Sequence, residues 1–142
     1  MLVREFMTRD LITIPTDTSV PDALRLMRER KVRRLPVVDH HGTLVGIVSD
    51  KDLLYASPSP ATTLAVWEIP ELLGKLRVEK VMTRGVITVS DDTSLEEAAR
   101  IMADSKIGGL PVMRGGSLVG IITETDLFKI LLELLGGRRP GI

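Results

Sequence analysis

One seven-residue phrase occurs twice in the chain and carries the side chains best suited to binding a ligand. It reads GIVSDKD at residues 46–52 and GIITETD at residues 120–126. In each copy a hydroxyl residue, Ser49 or Thr123, precedes an aspartate by three positions. A carboxylate in this position can accept two charge-assisted hydrogen bonds from the vicinal diol of a sugar such as ribose. The hydroxyl can turn toward the same ligand, and N–H groups at a helix start favour an anion.

The same spacing also has a purely structural interpretation. Ser49 and Thr123 fit the N-cap position of a helix that follows a strand, which places Asp52 and Asp126 at the third helical position. From there a carboxylate can accept a hydrogen bond from the N–H of the cap residue. An acid in the first turn also favours the helix dipole by roughly 0.3–1 kcal/mol. The spacing alone is therefore consistent both with ligand binding and with helix capping.

Other side chains that could carry out chemistry are few. The absence of Cys excludes disulfides, thiolate metal sites and Cys nucleophiles. The only histidines, His40 and His41, are adjacent in a predicted turn and lack further metal ligands in the sequence pattern. No Ser-His-acid constellation and no phosphate-binding Gly loop is present. We therefore predict no catalytic residues, no metal site and a protein that is not an enzyme.

The overall composition limits the classes of binding partner that the protein can have. Nineteen basic residues balance nineteen acidic ones, which argues against nucleic acid as a partner because phosphate backbones are held by an excess of Lys and Arg. No apolar run approaches the roughly 20 residues of a membrane span. The first residues, MLVREFMTRD, lack the apolar core of a signal peptide. These patterns predict a soluble, cytoplasmic protein without a membrane partner.

The repeated phrase belongs to a longer duplication. Residues 3–38 match residues 78–113 at an offset of 75, with identity at 16 of the 36 positions. Each copy predicts a short strand, a helix, two strands joined by a tight turn and a final helix, which is the order β-α-β-β-α. The first strands are expected at Leu11–Ile14 and Val86–Val89, and the turns at Asp39–Thr43 and Arg114–Ser117.

The first helix of each copy has a start pattern and an apolar stripe. Ser19 with Asp22, and Ser94 with Glu97, have the spacing of a capping box. The apolar residues that follow recur at i, i+3, i+4 and i+7; they are Val20, Ala23, Leu24 and Met27, and Leu95, Ala98, Ala99 and Met102. Four methionines recur at apolar positions of the duplication and are predicted to lie in the core; they are Met7, Met27, Met82 and Met102.

The duplication also predicts how the chain is divided. We expect one domain at residues 1–56, a connector with a short helix at 57–77, a second domain at 78–135 and a frayed tail at 136–142. The connector starts with the helix-breaking stretch SPSPATT and contains the single Trp. The last helix is apolar on more than one face, with Leu, Ile or Phe at seven positions between 127 and 135. Such a helix needs more than one partner surface, which predicts a homodimer.

Tandem units of the form MT…ITV…DTSLEEA…GLPV…LVGIIT..DL resemble a pair of cystathionine β-synthase (CBS) domains, also called a Bateman module. The resemblance covers roughly residues 1–135. It implies an α/β (α+β) fold in which two β-α-β-β-α units pack about a pseudo-twofold axis, with two clefts between them. It also implies association into dimers and binding of an adenosine-containing ligand, with the Asp of the repeated phrase holding the ribose.

The resemblance further implies that each cleft combines residues of both copies. Cleft B would contain Ile12, Thr13, Arg33, Arg34, Thr123 and Asp126, and cleft A would contain Ser49, Asp52, Ile87, Thr88, Gly108 and Gly109. The two guanidinium groups would suit cleft B to phosphate oxygens. Alternatively, they belong to a solvated basic run, RERKVRR. We expect cleft B to bind a nucleotide, and cleft A to be weaker, empty or suited to a less charged adenosyl compound.

The leading functional hypothesis is a regulatory module that senses AMP, ADP or ATP, requires no other cofactor and acts on an unknown effector protein. A sensor of S-adenosylmethionine or of an NAD-type ligand is one alternative. A ligand-free dimerisation scaffold is the other, and in it the aspartates would only cap helices. Inosine-monophosphate dehydrogenases carry such modules, but the catalytic Cys of those enzymes has no counterpart in this sequence.

Overall fold

A computed structural model describes residues 1–56 and 75–136. In chain order these residues form α1 (Val3–Phe6), β1 (Ile14–Pro15), α2 (Val20–Arg30), β2 (Arg34–Val38), β3 (Leu44–Ser49), α3 (Asp50–Ala56), a 3₁₀ turn (Val78–Lys80), β4 (Val89–Ser90), α4 (Leu95–Ser105), β5 (Gly109–Arg114), β6 (Ser117–Thr123) and α5 (Glu124–Leu134). The predicted order β-α-β-β-α therefore occurs twice, and the α+β fold class is confirmed. The connector's tryptophan, nearly all of its predicted short helix and the tail beyond residue 136 lie outside the described residues.

The chain forms two compact units. The first-repeat unit consists of Ile12–Val86, and the second-repeat unit combines Met1–Leu11 with Ile87–Ile142. Each unit contains one three-stranded sheet, in the order β1-β2-β3 or β4-β5-β6. In each sheet the first two strands are parallel and the last two are antiparallel.

The predicted starts of helices α2 and α4 are confirmed in part. Ser19 Oγ accepts the N–H of Asp22 at 3.2 Å, and Ser94 Oγ accepts the N–H of Glu97 at 3.1 Å. The reciprocal half of each capping box is not formed in the described part of the chain. Both acidic side chains are instead drawn toward an arginine three residues further on, at 2.9 Å for Asp22 and 3.8 Å for Glu97.

The apolar stripes of these helices pack on the sheets as predicted. Three residues of each stripe are buried, and Leu24 and Ala99 are half-buried; the buried residues are Val20, Ala23 and Met27 in α2, and Leu95, Ala98 and Met102 in α4. All four recurring methionines are at most 8% exposed, which confirms their prediction as core residues. Each unit therefore has its own apolar core.

The tight turns between the antiparallel strands are confirmed. Gly115 and Gly116 connect β5 to β6 with φ angles of 56° and 84°, which a two-residue hairpin of the primed type requires. In the first repeat, the Asp39 carboxylate accepts the N–H groups of His41 and Thr43, both at 2.9 Å. His40 and His41 are exposed in this turn, as predicted.

The compact units exchange the first segment of each repeat. Val3 is fully buried in the core of the second-repeat unit, and Val78, its repeat equivalent, is fully buried in the first-repeat unit. The Val3 N–H donates to Thr93 O at 2.9 Å, and the Val78 N–H donates to Thr18 O at 2.8 Å. The domains predicted at 1–56 and 78–135 therefore follow the repeated sequence. The boundaries of the compact units fall instead between residues 11 and 12 and between residues 86 and 87.

The first strand of each repeat is shorter than predicted, and the exchange explains why. Only Ile14 and Pro15 pair with β2, and only Val89 and Ser90 pair with β5. Regular pairing begins late because the chain leaves one unit for the other just before these strands. No helix among the described residues has the length and apolar character needed to cross a membrane.

Candidate ligand-binding site

The repeated phrase forms a reciprocal helix cap in both units. In the first repeat, the Ser49 N–H donates to Asp52 Oδ2 at 2.9 Å, and the Asp52 N–H donates to Ser49 Oγ at 3.1 Å. In the second repeat, the Thr123 N–H donates to Asp126 Oδ2 at 2.9 Å, and the Asp126 N–H lies 3.5 Å from Thr123 Oγ1. The capping interpretation of the phrase is therefore confirmed.

Capping leaves both carboxylates accessible. Asp52 and Asp126 are half-buried, as are Ser49 and Thr123. Each cap uses Oδ2, and a carboxylate offers about four acceptor positions in total. An aspartate that fixes the start of a helix can thus still accept hydrogen bonds from a ligand, so the two interpretations of the phrase do not exclude each other.

The glycine that opens each phrase allows a second segment to pass close to the sheet. Gly46 and Gly120 are buried, and a Cβ on Gly120 would lie 2.7 Å from Met7 Sδ and 2.9 Å from Thr8 O. A Cβ on Gly46 would meet Met82 and would lie 3.1 Å from Thr83 O. The segments carrying Met7 and Met82 therefore reach the sheet because these positions have no side chain.

The residues before Leu-Pro lie beside the phrase of their own repeat. Arg34 pairs with Ser49 across β2 and β3, and the Arg33 carbonyl accepts the N–H of Asp50 at 2.9 Å. In the other unit Gly109 pairs with Thr123, and the Gly108 carbonyl accepts the N–H of Glu124 at 3.0 Å. The arginines therefore lie next to Ser49 and Asp50 within the first-repeat unit, and the glycines lie next to Thr123 and Glu124.

The predicted residues of the first strands lie at the start of each sheet. Ile12 is half-buried against the core of the first-repeat unit and Thr13 is exposed. In the second-repeat unit Ile87 is 45% exposed and Thr88 is exposed. Clefts A and B as predicted from the resemblance each combine residues of both units, and that grouping stays a prediction.

One contact of the candidate site was not predicted from the sequence. The Thr8 hydroxyl donates to the Asp126 carboxylate, at 3.1 Å to Oδ1 and 3.3 Å to Oδ2. Thr8 precedes the second repeat's phrase by more than 100 residues, at a separation of 118 from Asp126. The only sequence feature that could have indicated it is the repeated pair Met-Thr at residues 7–8 and 82–83.

The described cavities lie elsewhere in the second-repeat unit. One cavity of about 420 Å³ runs between α4 and α5 and is lined by Leu95, Ile130 and Leu131 among others. Another of about 390 Å³ lies near the end of α4, beside Lys106 and Ile107. Neither is lined by a predicted ligand-binding residue, so neither of these two cavities is the site of the repeated phrase.

Comparison with known proteins identifies the duplication. A model of the CBS domain matches residues 3–59 and again residues 78–133. The chain belongs to the CBS domain family. A CBS domain-containing protein of Dictyostelium discoideum is 36% identical to this CBS pair over 136 residues, which is 95% of this chain and 94% of the relative.

Other relatives contain the CBS pair as one part of a longer chain. The inosine-5'-monophosphate dehydrogenase of Korarchaeum cryptofilum is 38% identical over 124 residues, which is 87% of this chain and 23% of that enzyme. Chloroplastic CBSX2 of Arabidopsis thaliana is 36% identical over 152 residues, covering 93% of this chain and 64% of the relative. Relatives of this CBS pair thus include an enzyme and a chloroplastic protein, and the cytoplasmic location stays a prediction.

Two similar solved structures are complexes with adenosine-containing ligands. The structure of CBSX2 in complex with AMP has a TM-score of 0.78 and 38% identity, and the match covers 94% of this chain and 98% of that one. The CBS domain pair of protein MJ0100, in complex with 5'-methylthioadenosine and S-adenosyl-L-methionine, has a TM-score of 0.77 and 29% identity, with 98% of both chains covered.

Proposed function

We propose that this CBS pair is a regulatory module that binds an adenine nucleotide (AMP, ADP or ATP) and acts on an effector protein. The observation that carries the proposal is the half-exposed carboxylate that ends the repeated phrase in each unit, at Asp52 and Asp126. Each carboxylate is held in place by its own helix cap. The AMP complex of CBSX2, at 38% identity, supports AMP as the first ligand to test.

The capped carboxylate is suited to a ribose because its position is already fixed. The cap bonds orient the carboxylate before any ligand arrives, which reduces the conformational entropy lost on binding. The acceptor positions that the cap does not use can receive the two O–H groups of a cis-diol. Ribose binding therefore requires no rearrangement of the Ser49–Asp52 cap.

Phosphate binding is best assigned to Arg33 and Arg34. Both lie beside Ser49 in the first-repeat unit, Arg33 exposed and Arg34 half-buried. Two guanidinium groups carry permanent positive charge and suit phosphate oxygens. The predicted cleft B groups these arginines with Thr123 and Asp126, and the pairing of Arg34 with Ser49 supports phosphate binding beside the first repeat's phrase as well. Contacts of Ile12, Thr13, Ile87 and Thr88 with the ligand remain part of the proposal.

Thermal unfolding with AMP, ADP, ATP, S-adenosylmethionine and NADH tests the proposed ligand class. A ligand at about 100 times its Kd stabilises the fold by about 2.7 kcal/mol, which for this chain length raises Tm by roughly 5–10 °C. We expect a shift with at least one adenine nucleotide, reduced in Asp52→Asn and in Arg34→Ala. Asp50→Asn is the matched control, because its Oδ1 contacts the neighbouring N–H of Lys51 and not the cap.

The outcomes separate the candidate functions. A shift confined to S-adenosylmethionine favours the adenosyl-sensor alternative, which the MJ0100 complex supports. No shift with any of the five compounds, in protein free of co-purified nucleotide, contradicts the sensor and favours the scaffold. A shift that survives both Asp52→Asn and Asp126→Asn contradicts ribose binding at these carboxylates.

Homodimerisation through α5 is the second part of the proposal. Phe128, Leu132 and Leu134 are 61%, 58% and 67% exposed, and Leu135 directly after the helix is 65% exposed. Exposed apolar side chains that cluster on one element mark an interaction surface. Light scattering after gel filtration should give a dimer for the natural chain and a smaller species for Leu132→Glu. Lys129→Glu, on the same helix, is the control and should stay dimeric.

A further inference from the structure

The aspartates of the two repeated phrases differ in how many protein groups already approach their carboxylates. Asp126 Oδ2 accepts the Thr123 N–H at 2.9 Å and lies 3.2 Å from the Thr123 hydroxyl. The Thr8 hydroxyl approaches both oxygens, at 3.1 Å for Oδ1 and 3.3 Å for Oδ2. Three donor groups are therefore within hydrogen-bonding distance of the Asp126 carboxylate.

Thr8 reaches Asp126 from a fixed backbone. Its N–H donates to Ile121 O at 2.8 Å, and its carbonyl accepts the Ile121 N–H at 3.0 Å. The preceding Met7 is 7% exposed and packs against Gly120. Because two backbone hydrogen bonds and a buried neighbour hold residue 8, its hydroxyl stays close to the carboxylate at little further entropic cost.

The equivalent arrangement in the first-repeat unit lacks this contact. Thr83 pairs with Ile47 through backbone hydrogen bonds of 2.9 and 3.1 Å, as Thr8 does with Ile121. Among the described residues, however, the Thr83 hydroxyl makes no hydrogen bond to Asp52. The only donor that reaches the Asp52 carboxylate in that part of the chain is the Ser49 N–H.

We infer that Thr8 is a specificity-determining residue, whose hydroxyl makes Asp126 a weaker ribose-binding group than Asp52. The inference rests on the proposed function. A carboxylate has about four acceptor positions, so three protein donors and the two hydroxyls of a diol exceed the capacity of Asp126. Asp52 has one protein donor and can accept both hydroxyls. A ribose at Asp126 must therefore displace a protein group, and the Thr8 hydroxyl is the one that is not part of the cap.

Titration of the ¹⁵N-labelled full chain with AMP can measure the two positions separately. The N–H signals of Asp52 and Asp126 each report the Kd at their own carboxylate. We expect the lower Kd at Asp52. The variant Thr8→Val removes the hydroxyl and keeps the shape, so it should lower the Kd at Asp126 by about threefold to tenfold and leave Asp52 unchanged.

Matched variants and the possible outcomes define the test. Thr83→Val should change neither Kd, because its hydroxyl does not contact Asp52, and Thr8→Ser should behave as the natural chain because it keeps the hydroxyl. An unchanged or raised Kd at Asp126 in Thr8→Val overturns the inference while the proposed function stands. If AMP moves neither signal in any variant, AMP binding at these carboxylates fails, and the inference fails with it.

Discussion

At the scale of single residues, two glycines leave room for a neighbouring segment to approach each sheet closely. Gly46 and Gly120 are where the segments around Met82 and Met7 approach the sheets. A methionine side chain can adopt another rotamer, but a backbone carbonyl held by strand pairing cannot move as easily. A Cβ on Gly120 would lie 2.9 Å from the Thr8 carbonyl oxygen, so this contact is more restrictive than the 3.1 Å contact at Gly46.

Gly120→Ala should accordingly be more destabilising than Gly46→Ala. Overpacking at a fixed backbone contact costs about 1–3 kcal/mol, and we expect Gly120→Ala to lie in that range with Gly46→Ala below it. Urea unfolding of the two variants beside the natural chain measures both values. Equal losses in the two variants would show that the methionine contacts, and not the backbone carbonyls, set the cost.

At the scale of secondary-structure elements, helices α2 and α4 end in the same way. Lys31 and Lys106 follow them with φ angles of 56° and 55°, in the left-handed region where a Cβ is unfavourable. The Lys106 N–H donates to the Met102 carbonyl, as in the common left-handed helix end. These two lysines therefore occupy positions that glycine usually fills.

Lys106→Gly should stabilise the protein. Relief of the left-handed strain exceeds the extra entropy of glycine in the unfolded chain, so we expect a gain of about 0.5–1 kcal/mol. Lys106→Ala removes the same charge and keeps the Cβ, and it should not stabilise. The difference between the two variants in chemical denaturation isolates the backbone effect, and equal stabilities would contradict it.

The turn between β2 and β3 should be sensitive to acid. The N–H of Thr43, with a smaller effect from His41, lowers the pKa of Asp39 below its ordinary value of 3.8. A carboxylate with a lowered folded-state pKa stabilises the fold above its unfolded pKa, and the contribution is lost as pH falls through the folded value. The stability difference between the natural chain and Asp39→Asn should therefore shrink below pH 3.8. A stability difference that stays constant down to about pH 2 would contradict this role of Asp39.

At the scale of the whole molecule, each compact unit is completed by a segment from outside its own repeat. Val3 and Val78 are equivalent in the two repeats, and their buried side chains anchor these segments in the cores of the units. Val3→Ala should lower the stability of the second-repeat unit by about 2 kcal/mol, from two lost methyl groups and the cavity that they leave.

Hydrogen exchange can locate that effect. In Val3→Ala the amides of β5 and β6 should lose protection while those of β2 and β3 keep theirs, and Val78→Ala should give the reverse pattern. Equal loss of protection throughout the chain in either variant would contradict separate cores and indicate one cooperative unit.

Most of the fold could be predicted because its determinants are local. The stripe from Val20 to Met27, the serine caps and the Gly115–Gly116 turn are each encoded within a few residues. The exchange of Val3 and the Thr8–Asp126 contact could not be predicted, since no periodicity relates residues so far apart in sequence.

The helix caps of the candidate site could be predicted from the sequence, whereas the strand partners of its arginines could not. The hydroxyl-to-aspartate spacing predicted the reciprocal caps at Ser49–Asp52 and Thr123–Asp126, because such a cap requires that spacing. The position of Arg34 beside Ser49 follows from the register of the hairpin, which depends on where the turn closes. At Ser19 and Ser94 the caps are one-sided because the acidic side chains of Asp22 and Glu97 are drawn instead toward an arginine three residues further along each helix.

The exchanged segments have a consequence for the order of events during synthesis. The first-repeat unit is complete once residue 86 has left the ribosome, and it can close while the rest of the chain is still being made. The segment around Val3 is synthesised before the first-repeat unit, yet its partners Asp91, Thr93 and Ile121 come much later. The segment around Val3 can therefore reach its folded position only after the chain of the first-repeat unit has been completed.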